Sequence, residues 1–331
     1  MENDIVQEDN LFEQRLDLSG LSNTIMALQA EIKKVIVGQD AMVQLIVAAI
    51  LADGHVLIEG VPGVAKTLTA KLVAKSLHTS FNRIQFTPDL MPSDVLGTNI
   101  FNPGTHSFQF KKGPLFSNII LIDEINRAPA KTQSALFEVM EERQVTIDGS
   151  TYPMDNPFMI LATQNPIEQE GTYRLPEAQL DRFLFKIEVP YPTELEEVAI
   201  LQRFHGLGTK QAIADVHPVV SKEEVIQLRQ LIKGIVVDEK LLQFIAKIIV
   251  ATRNDKAIYL GASPRASLAM LQAAKAIAAM MGRDFVTPDD IILVSKPVLR
   301  HRIILTPEKE MEGSKEDEVI ESIIHSLEVP R

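Results

Sequence analysis

Two hydrophobic rhythms divide this chain of 331 residues. Up to about residue 190, strand-like runs recur at Val56 to Ile58, Arg83 to Phe86, Ile119 to Ile122, Met159 to Thr163 and Phe183 to Val189, with helical patterns between most of them. Beyond that point only helical patterns remain, opening at Ser221, Asp238, Ser263 and Thr287. The run at Ile119 to Ile122 is apolar at every position, as in a parallel strand covered on both faces. Strands alternating with helices predict an α/β fold, a parallel sheet joined by crossovers. Two stretches interrupt this rhythm. Asp94 to Gly113, with an Asn102-Pro103-Gly104 turn, and Gln144 to Pro157, with an Asp148-Gly149 turn, are expected to be inserted β-hairpins.

The predicted organisation is a poorly ordered tail over 1–20, an α/β core over 21–192 and a helical second domain over 193–331. Pro190-Tyr191-Pro192 marks the boundary, and Thr193 with Glu196 forms a capping box opening the next helix. Ser263-Pro264 and Thr287-Pro288 each read as an N-cap followed by proline at the first helical position. Met1 to Leu16 and Glu308 to Lys315 are charge-rich and expected to be solvated or frayed.

Composition narrows the classes. A formal charge of −11 with no basic block argues against nucleic-acid binding. The absence of cysteine excludes disulfides, thiolate zinc sites and cysteine nucleophiles. The first ten residues are acidic and polar, unlike a secretion signal. The longest apolar run, Val43 to Ala52, contains Gln44 and is too short for a bilayer, so no membrane insertion and a cytoplasmic protein are expected.

The chemistry is concentrated after the first strand. Gly60-Val61-Pro62-Gly63-Val64-Ala65-Lys66-Thr67 joins the run ending at Ile58 to a helical pattern starting at Leu68, the place of a phosphate-binding loop. A glycine-rich turn lets several backbone amides and a helix N-terminus converge on one phosphate chain. Lys66 would neutralise β/γ-phosphate oxygens and Thr67 would hold Mg²⁺. Ala65 stands where that pattern has its second glycine, a position where its amide serves if the local φ is negative. Asp123 and Glu124 end the Ile119 to Ile122 run, at the sheet edge where α/β ligands bind. Asp123 would hold Mg²⁺, and Glu124 would polarise an attacking water as general base.

Together with Ile122-Asp123-Glu124-Ile125-Asn126-Arg127-Ala128-Pro129, the loop, Ala162-Thr163-Gln164-Asn165-Pro166, Leu175-Pro176-Glu177-Ala178-Gln179-Leu180-Asp181-Arg182-Phe183 and Gly261-Ala262-Ser263-Pro264-Arg265 make the chain resemble the MoxR family of AAA+ ATPases over roughly residues 20 to 310. Alanine at position 65 is common in that family. The resemblance implies an AAA+ P-loop core with a five-stranded parallel sheet, a smaller all-α lid and a ring oligomer, usually a hexamer, with ATP at each subunit boundary. It also implies that the hairpins are the inserts of the AAA+ group containing magnesium-chelatase motor subunits.

Further roles follow from the resemblance. Asn165 would be sensor 1, an uncharged amide orienting water and γ-phosphate, although Asn165-Pro166 alone is a turn signal. Arg182, by itself a candidate surface partner of Asp181, becomes an arginine finger for the neighbouring subunit. Arg265 begins a lid helix, where a bare cation is disfavoured; anion binding explains its placement, as sensor 2 in its own or its neighbour's site. Val37-Gly38-Gln39 would contact adenine, and Leu68 completes the nucleotide-binding set.

Three functions are consistent with these features. The first is Mg²⁺-dependent ATP hydrolysis to ADP and phosphate, driving remodelling, maturation or metal insertion in a partner, by resemblance one carrying a von Willebrand factor A domain. The second is a ring-assembly module in which hydrolysis is incidental. The third, a DNA-directed AAA+ protein, is opposed by the acidic charge and by the absence of a Gly-Ala-Phe-Thr-Gly-Ala loop. The basic pair Lys111-Lys112 reads as a solvated hairpin end.

Overall fold

The computed structural model describes residues 18–165, 173, 175–205 and 213–330. The expected tail of Met1 to Leu16 and the turn residue Pro166 lie outside them. In chain order the elements are α1 (Ser19–Lys33), α2 (Asp40–Leu51), β1 (His55–Gly60), α3 (Lys66–Ser76), β2 (Phe81–Gln85), α4 (Pro92–Leu96), β3 (Gly97–Asn102), β4 (Ser107–Lys112) and β5 (Ile119–Asp123). After a 3-10 turn at Ile125–Arg127 come α5 (Ala130–Glu142), β6 (Gln144–Ile147), β7 (Ser150–Pro153), β8 (Met159–Gln164), α6 (Glu177–Leu180) and β9 (Phe183–Val189). The lid contains α7 (Glu194–His205), α8 (Lys222–Lys233), α9 (Glu239–Asn254), β10 (Ile258–Leu260), α10 (Pro264–Met280), α11 (Pro288–Leu299), β11 (Ile304–Leu305), α12 (Pro307–Met311) and α13 (Glu316–Ser326).

The sheet has five parallel strands in the order β2-β5-β8-β1-β9. Alternate side chains leave opposite faces, so each central strand contributes to two cores. Val56 and Ile58 pack with α1, α2, α3 and the lid helices, whereas Leu57 packs with Phe137 and Met140 of α5. Ile120 and Ile122 likewise face α5, while Ile119 and Leu121 face the other layer. This double burial explains why the strand was apolar throughout. The β2 run starts two residues before the expected Arg83 because Phe81 already pairs with Ile119. Phe86 lies beyond the strand but still donates to the Asp123 carbonyl, at 2.9 Å.

Both hairpins form as antiparallel pairs, β3 with β4 and β6 with β7. Asp148 and Gly149 have φ of 49° and 78°, the left-handed pair that a two-residue hairpin turn requires. Lys111 and Lys112 are exposed at the base of the first hairpin, with Lys112 Nζ 5.0 Å from the Phe116 ring.

The lid is helical with one addition, a ribbon in which Ile258 pairs with Leu305 and Leu260 with Ile304. Two- and three-residue strands are too short to display a period-two pattern, so only helices were expected there. Glu308 to Lys315 is largely exposed, but part of it is ordered in α12. Ser263 is the N-cap of α10, yet its hydroxyl caps nothing and instead donates to Asp181 Oδ2 at 2.9 Å. Thr193 and Glu196 do form the expected reciprocal bonds, with the Thr193 amide 2.7 Å from Glu196 Oε2.

At the start of β1, His55 is fully buried against Phe158, with its ring edge-on at a centroid distance of 5.7 Å. Its Nδ1 accepts from the Ile160 amide at 3.0 Å, and Nε2 lies 3.3 Å from the Met140 carbonyl. That pattern needs the neutral ring, because a second N–H would oppose the Ile160 donor. Burial, reinforced by the Arg143 guanidinium, holds this imidazole well below its ordinary range. A histidine depressed in the folded state binds protons preferentially when unfolded, so its stabilising effect is complete above about pH 6.5 and is lost as pH falls. Thermal melts between pH 7.5 and 5 should therefore decline on the acid side. The decline should be shallower in His55→Asn, which keeps an acceptor for Ile160 without the titrating ring; parallel curves would refute this assignment.

Candidate nucleotide site

The loop after β1 is shaped by local backbone requirements. Gly60 lies against β9, where a Cβ would come within 2.9 Å of the Val189 carbonyl oxygen. Gly63 has φ of +92° with open space where a side chain would project. Ala65 does not meet the condition set for its amide: its φ is +60° rather than negative. The turn into α3 requires a left-handed residue at this point, and the missing glycine does not change that requirement. Ala65 nevertheless starts the helix, its carbonyl accepting from the Thr69 amide at 2.9 Å.

Lys66, Thr67 and Leu68 form the first turn of α3 and are half-buried. Lys66 Nζ folds back to donate to the Gly60 carbonyl. Burial lowers its ammonium pKa, while the nearby Asp123, Glu124 and Glu59 carboxylates oppose that shift. The lysine thus sits between a loop of backbone amides and three acids, an arrangement suited to a phosphate chain carrying a divalent cation. Thr67, in that first turn, and Asp123 are the residues that would hold Mg²⁺, and the ion would offset phosphate charge.

Asp123 is buried at the end of β5, with Oδ2 2.6 Å from Arg83 Nε and Oδ1 accepting from Thr163 Oγ1 at 3.1 Å. The same threonine oxygen accepts from the Glu124 amide at 3.1 Å, so β8 fixes both acids. Glu124 occupies the left-handed region at φ 56°. Its Oε2 accepts from Gln85 Nε2 at 2.7 Å and lies 2.9 Å from Arg127 Nε. In this arrangement the candidate base is held by one hydrogen bond and one ion pair, and a water would have to compete with them. Asn165 is buried directly after β8, between the acid-bearing β5 and the loop-bearing β1.

Gly38 and Gln39 have φ of 66° and 58°, and Gln39 Nε2 donates to the Pro190 carbonyl at 3.3 Å. A Cβ on Gly38 would strike the Glu196 carboxylate, at 2.3 Å. Val37-Gly38-Gln39 is therefore anchored where core meets lid. Pro190 and Tyr191 also line a cavity of about 470 Å³ that reaches Gly60 and Val61.

Arg182 and Arg265 are elsewhere. Arg182 precedes β9, whose first residue pairs with His55 at the start of β1, the edge opposite the loop. A strand of this length spans roughly 17–20 Å. Arg182 pairs with Glu141 at 2.6 Å, and Arg265 takes the other oxygen of the same carboxylate. Asp181, the alternative partner for Arg182, is instead engaged by Arg302 at 2.6 Å. Sequence reasoning assigned no role to Arg83, Gln85, Arg127, Thr163, Glu141 or Arg302. The i,i+2 spacing of Arg83 and Gln85 was a usable signal, since strand alternation puts both on one face.

A parallel sheet whose C-terminal edge gathers a glycine-rich turn, a lysine and paired acids defines a P-loop nucleotide-binding protein. Residues 55–185 match the family described as ATPase family associated with various cellular activities (AAA), and residues 250–323 match its lid domain. The chain is 44% identical to Chaperone MoxR1 of Mycobacterium tuberculosis, over 91% of this chain and 81% of that protein. A solved structure from Cytophaga hutchinsonii superposes with a TM-score of 0.88 at 43% identity, covering 98% of this chain and 99% of that one. A more distant likeness, 24% identical over 77% of this chain and 71% of the relative, is to the magnesium-chelatase 38 kDa subunit of Acidiphilium rubrum. The chain belongs to the MoxR family of AAA ATPases.

Ala65 offers a direct test of the loop geometry. A left-handed alanine costs about 1–2 kcal/mol, whereas added glycine entropy in the unfolded chain costs about 0.4–1 kcal/mol. Ala65→Gly should therefore stabilise the protein against urea by a net amount on the order of 0.5–1 kcal/mol. A lowered midpoint would show that Ala65 is not strained there.

Proposed function

We propose that this protein is an Mg²⁺-dependent ATPase that remodels a partner protein, with each active site completed by a second copy of the chain. The observation supporting this reading is the separation of Arg182 and Arg265 from Lys66 by the length of the sheet. Within one copy neither arginine is placed to meet a nucleotide on its own loop. In a ring, usually a hexamer in this family, one copy's loop would face its neighbour's arginines. Arg182 then stabilises charge on the transferring phosphoryl group, an effect worth about 10³ to 10⁵ in rate in well-studied cases. Asn165 orients water and γ-phosphate, and Glu124 removes the water proton. The client we favour carries a von Willebrand factor A domain, on family resemblance. Among the described residues no helix is long and apolar enough to cross a membrane.

Mixing variants tests the shared site. Arg182→Ala should bind ATP yet hydrolyse it slowly, and Lys66→Ala should bind it weakly. Mixed rings should regain activity, because some boundaries pair an intact loop with an intact arginine. Mixed rings as inactive as their parents would exclude the assignment across the boundary.

Glu124→Gln should retain ATP while kcat falls by about 10²- to 10⁴-fold, the usual contribution of a general base. A ring held with ATP should enrich a client selectively, since a ligand shifts a conformational equilibrium only through differential affinity. Mass spectrometry of proteins retained by tagged Glu124→Gln, compared with Lys66→Ala, checks this. Identical lists from both baits would favour the assembly-module reading.

A further inference from the structure

Glu141 lies in the last turn of α5 and bridges two arginines that come from different parts of the chain. Its Oε2 is 2.6 Å from Arg182 Nη1, while Oε1 accepts from Arg265 Nη2. Arg182 Nη1 also donates to the Phe137 carbonyl, 2.6 Å away and one turn earlier on α5. Arg182 precedes a core strand, and Arg265 opens a lid helix. A single carboxylate therefore fixes the distance between a core guanidinium and a lid guanidinium. Two cations against one anion leave the trio positive, and Arg265 remains half exposed. The neighbouring acids are already committed: Asp181 to Arg302 and Ser263, and Asp53 to Arg229.

We propose that Glu141 is a positioning residue for ATP hydrolysis, holding Arg182 and Arg265 together as one anion-binding unit directed at the neighbouring copy's phosphates. This rests on the reading that Arg182 acts across a subunit boundary. Arginine side chains lose considerable rotamer freedom when ordered, and a carboxylate that orders both in advance removes that cost from the reacting complex. The opposite role is physically distinct. If Glu141 merely neutralised the arginines, its removal would raise the positive charge and speed turnover or tighten ATP binding.

Measuring kcat and equilibrium ATP affinity in the full-length chain separates these roles. Glu141→Ala should lower kcat by roughly 10- to 100-fold, the range for a reacting group displaced by about 1 Å, with ATP affinity unchanged. Glu141→Gln, isosteric and with one acceptor oxygen, should fall between the two and carries the comparison if the alanine variant does not fold. In an Arg182→Ala background, Glu141→Ala should lower kcat by a clearly smaller factor than in the wild type, because only Arg265 is left for it to position. A kcat at or above wild type in the Glu141 variants, with Arg182→Ala slow, overturns the inference and leaves the shared-site reading intact. Multiplying effects in the double variant, or ATP affinity falling in step with kcat, overturns it as well. Wild-type turnover by Arg182→Ala would overturn both.

Discussion

Parallel pairing of β1 with β8 and β9 is the constraint on which the rest of the molecule depends. When all strands run the same way, every strand exit lies on one edge and every strand entry on the other. The glycine loop, Asp123, Glu124 and Asn165 all follow strand exits, so they converge without any long-range device. Arg182 immediately precedes a strand entry, and the same rule carries it to the far edge. The fold thus divides the cationic and phosphate-binding parts before any side chain makes a contact. Under the proposed function, a chemistry that needs both would recruit the second edge from another copy.

Much of this was legible because double burial leaves little freedom in composition. A strand covered on both faces must be apolar throughout, and the run at Ile119 to Ile122 coincides with β5 up to its closing Asp123, while the edge strand β9 coincides with the run at Phe183 to Val189 although it carries Lys186 and an exposed Glu188. Hairpin turns were legible where they need left-handed residues, as at Asp148-Gly149. α1 was overlooked although Leu21, Ile25, Leu28 and Ile32 follow a helical period and are buried. The φ of Ala65 stands only as a condition in the sequence, and residue type alone does not reveal that the turn into α3 places it in the left-handed region. Glu141 could not be found in advance. An acid ending an amphipathic helix is ordinary until the tertiary fold places two arginines beside it.

The lid contributes to the position of Arg182 in a second way. Arg302 is buried and donates to the carbonyls of Asp181, Phe183 and Leu184 as well as to the Asp181 carboxylate. His301 Nε2 approaches the Phe183 carbonyl at 2.9 Å, and Ser263 holds the second Asp181 oxygen. Arg182 is therefore a half-buried member of a segment whose backbone is otherwise tied to the lid. Carbonyls at a strand entry need partners when buried, and a guanidinium with five donors satisfies several at once.

Buried ion pairs contribute little net stability relative to apolar packing, so the Arg302–Asp181 pair is better understood through what it fixes. Burial lowers the Arg302 pKa, and the Asp181 carboxylate counteracts this by hydrogen bond and charge. Losing either partner would leave an uncompensated buried charge, a penalty on the order of 3–5 kcal/mol. That penalty makes separation of lid and core at this point costly, whereas the Glu141 contacts nearby are more exposed. One edge of the sheet therefore contains a buried clamp and, beside it, a more open one. A carboxylate that presents guanidinium groups to an incoming phosphate must hold them while leaving some of their donors reachable, and the position of Glu141, partly open to solvent and anchored through a helix end, meets that requirement.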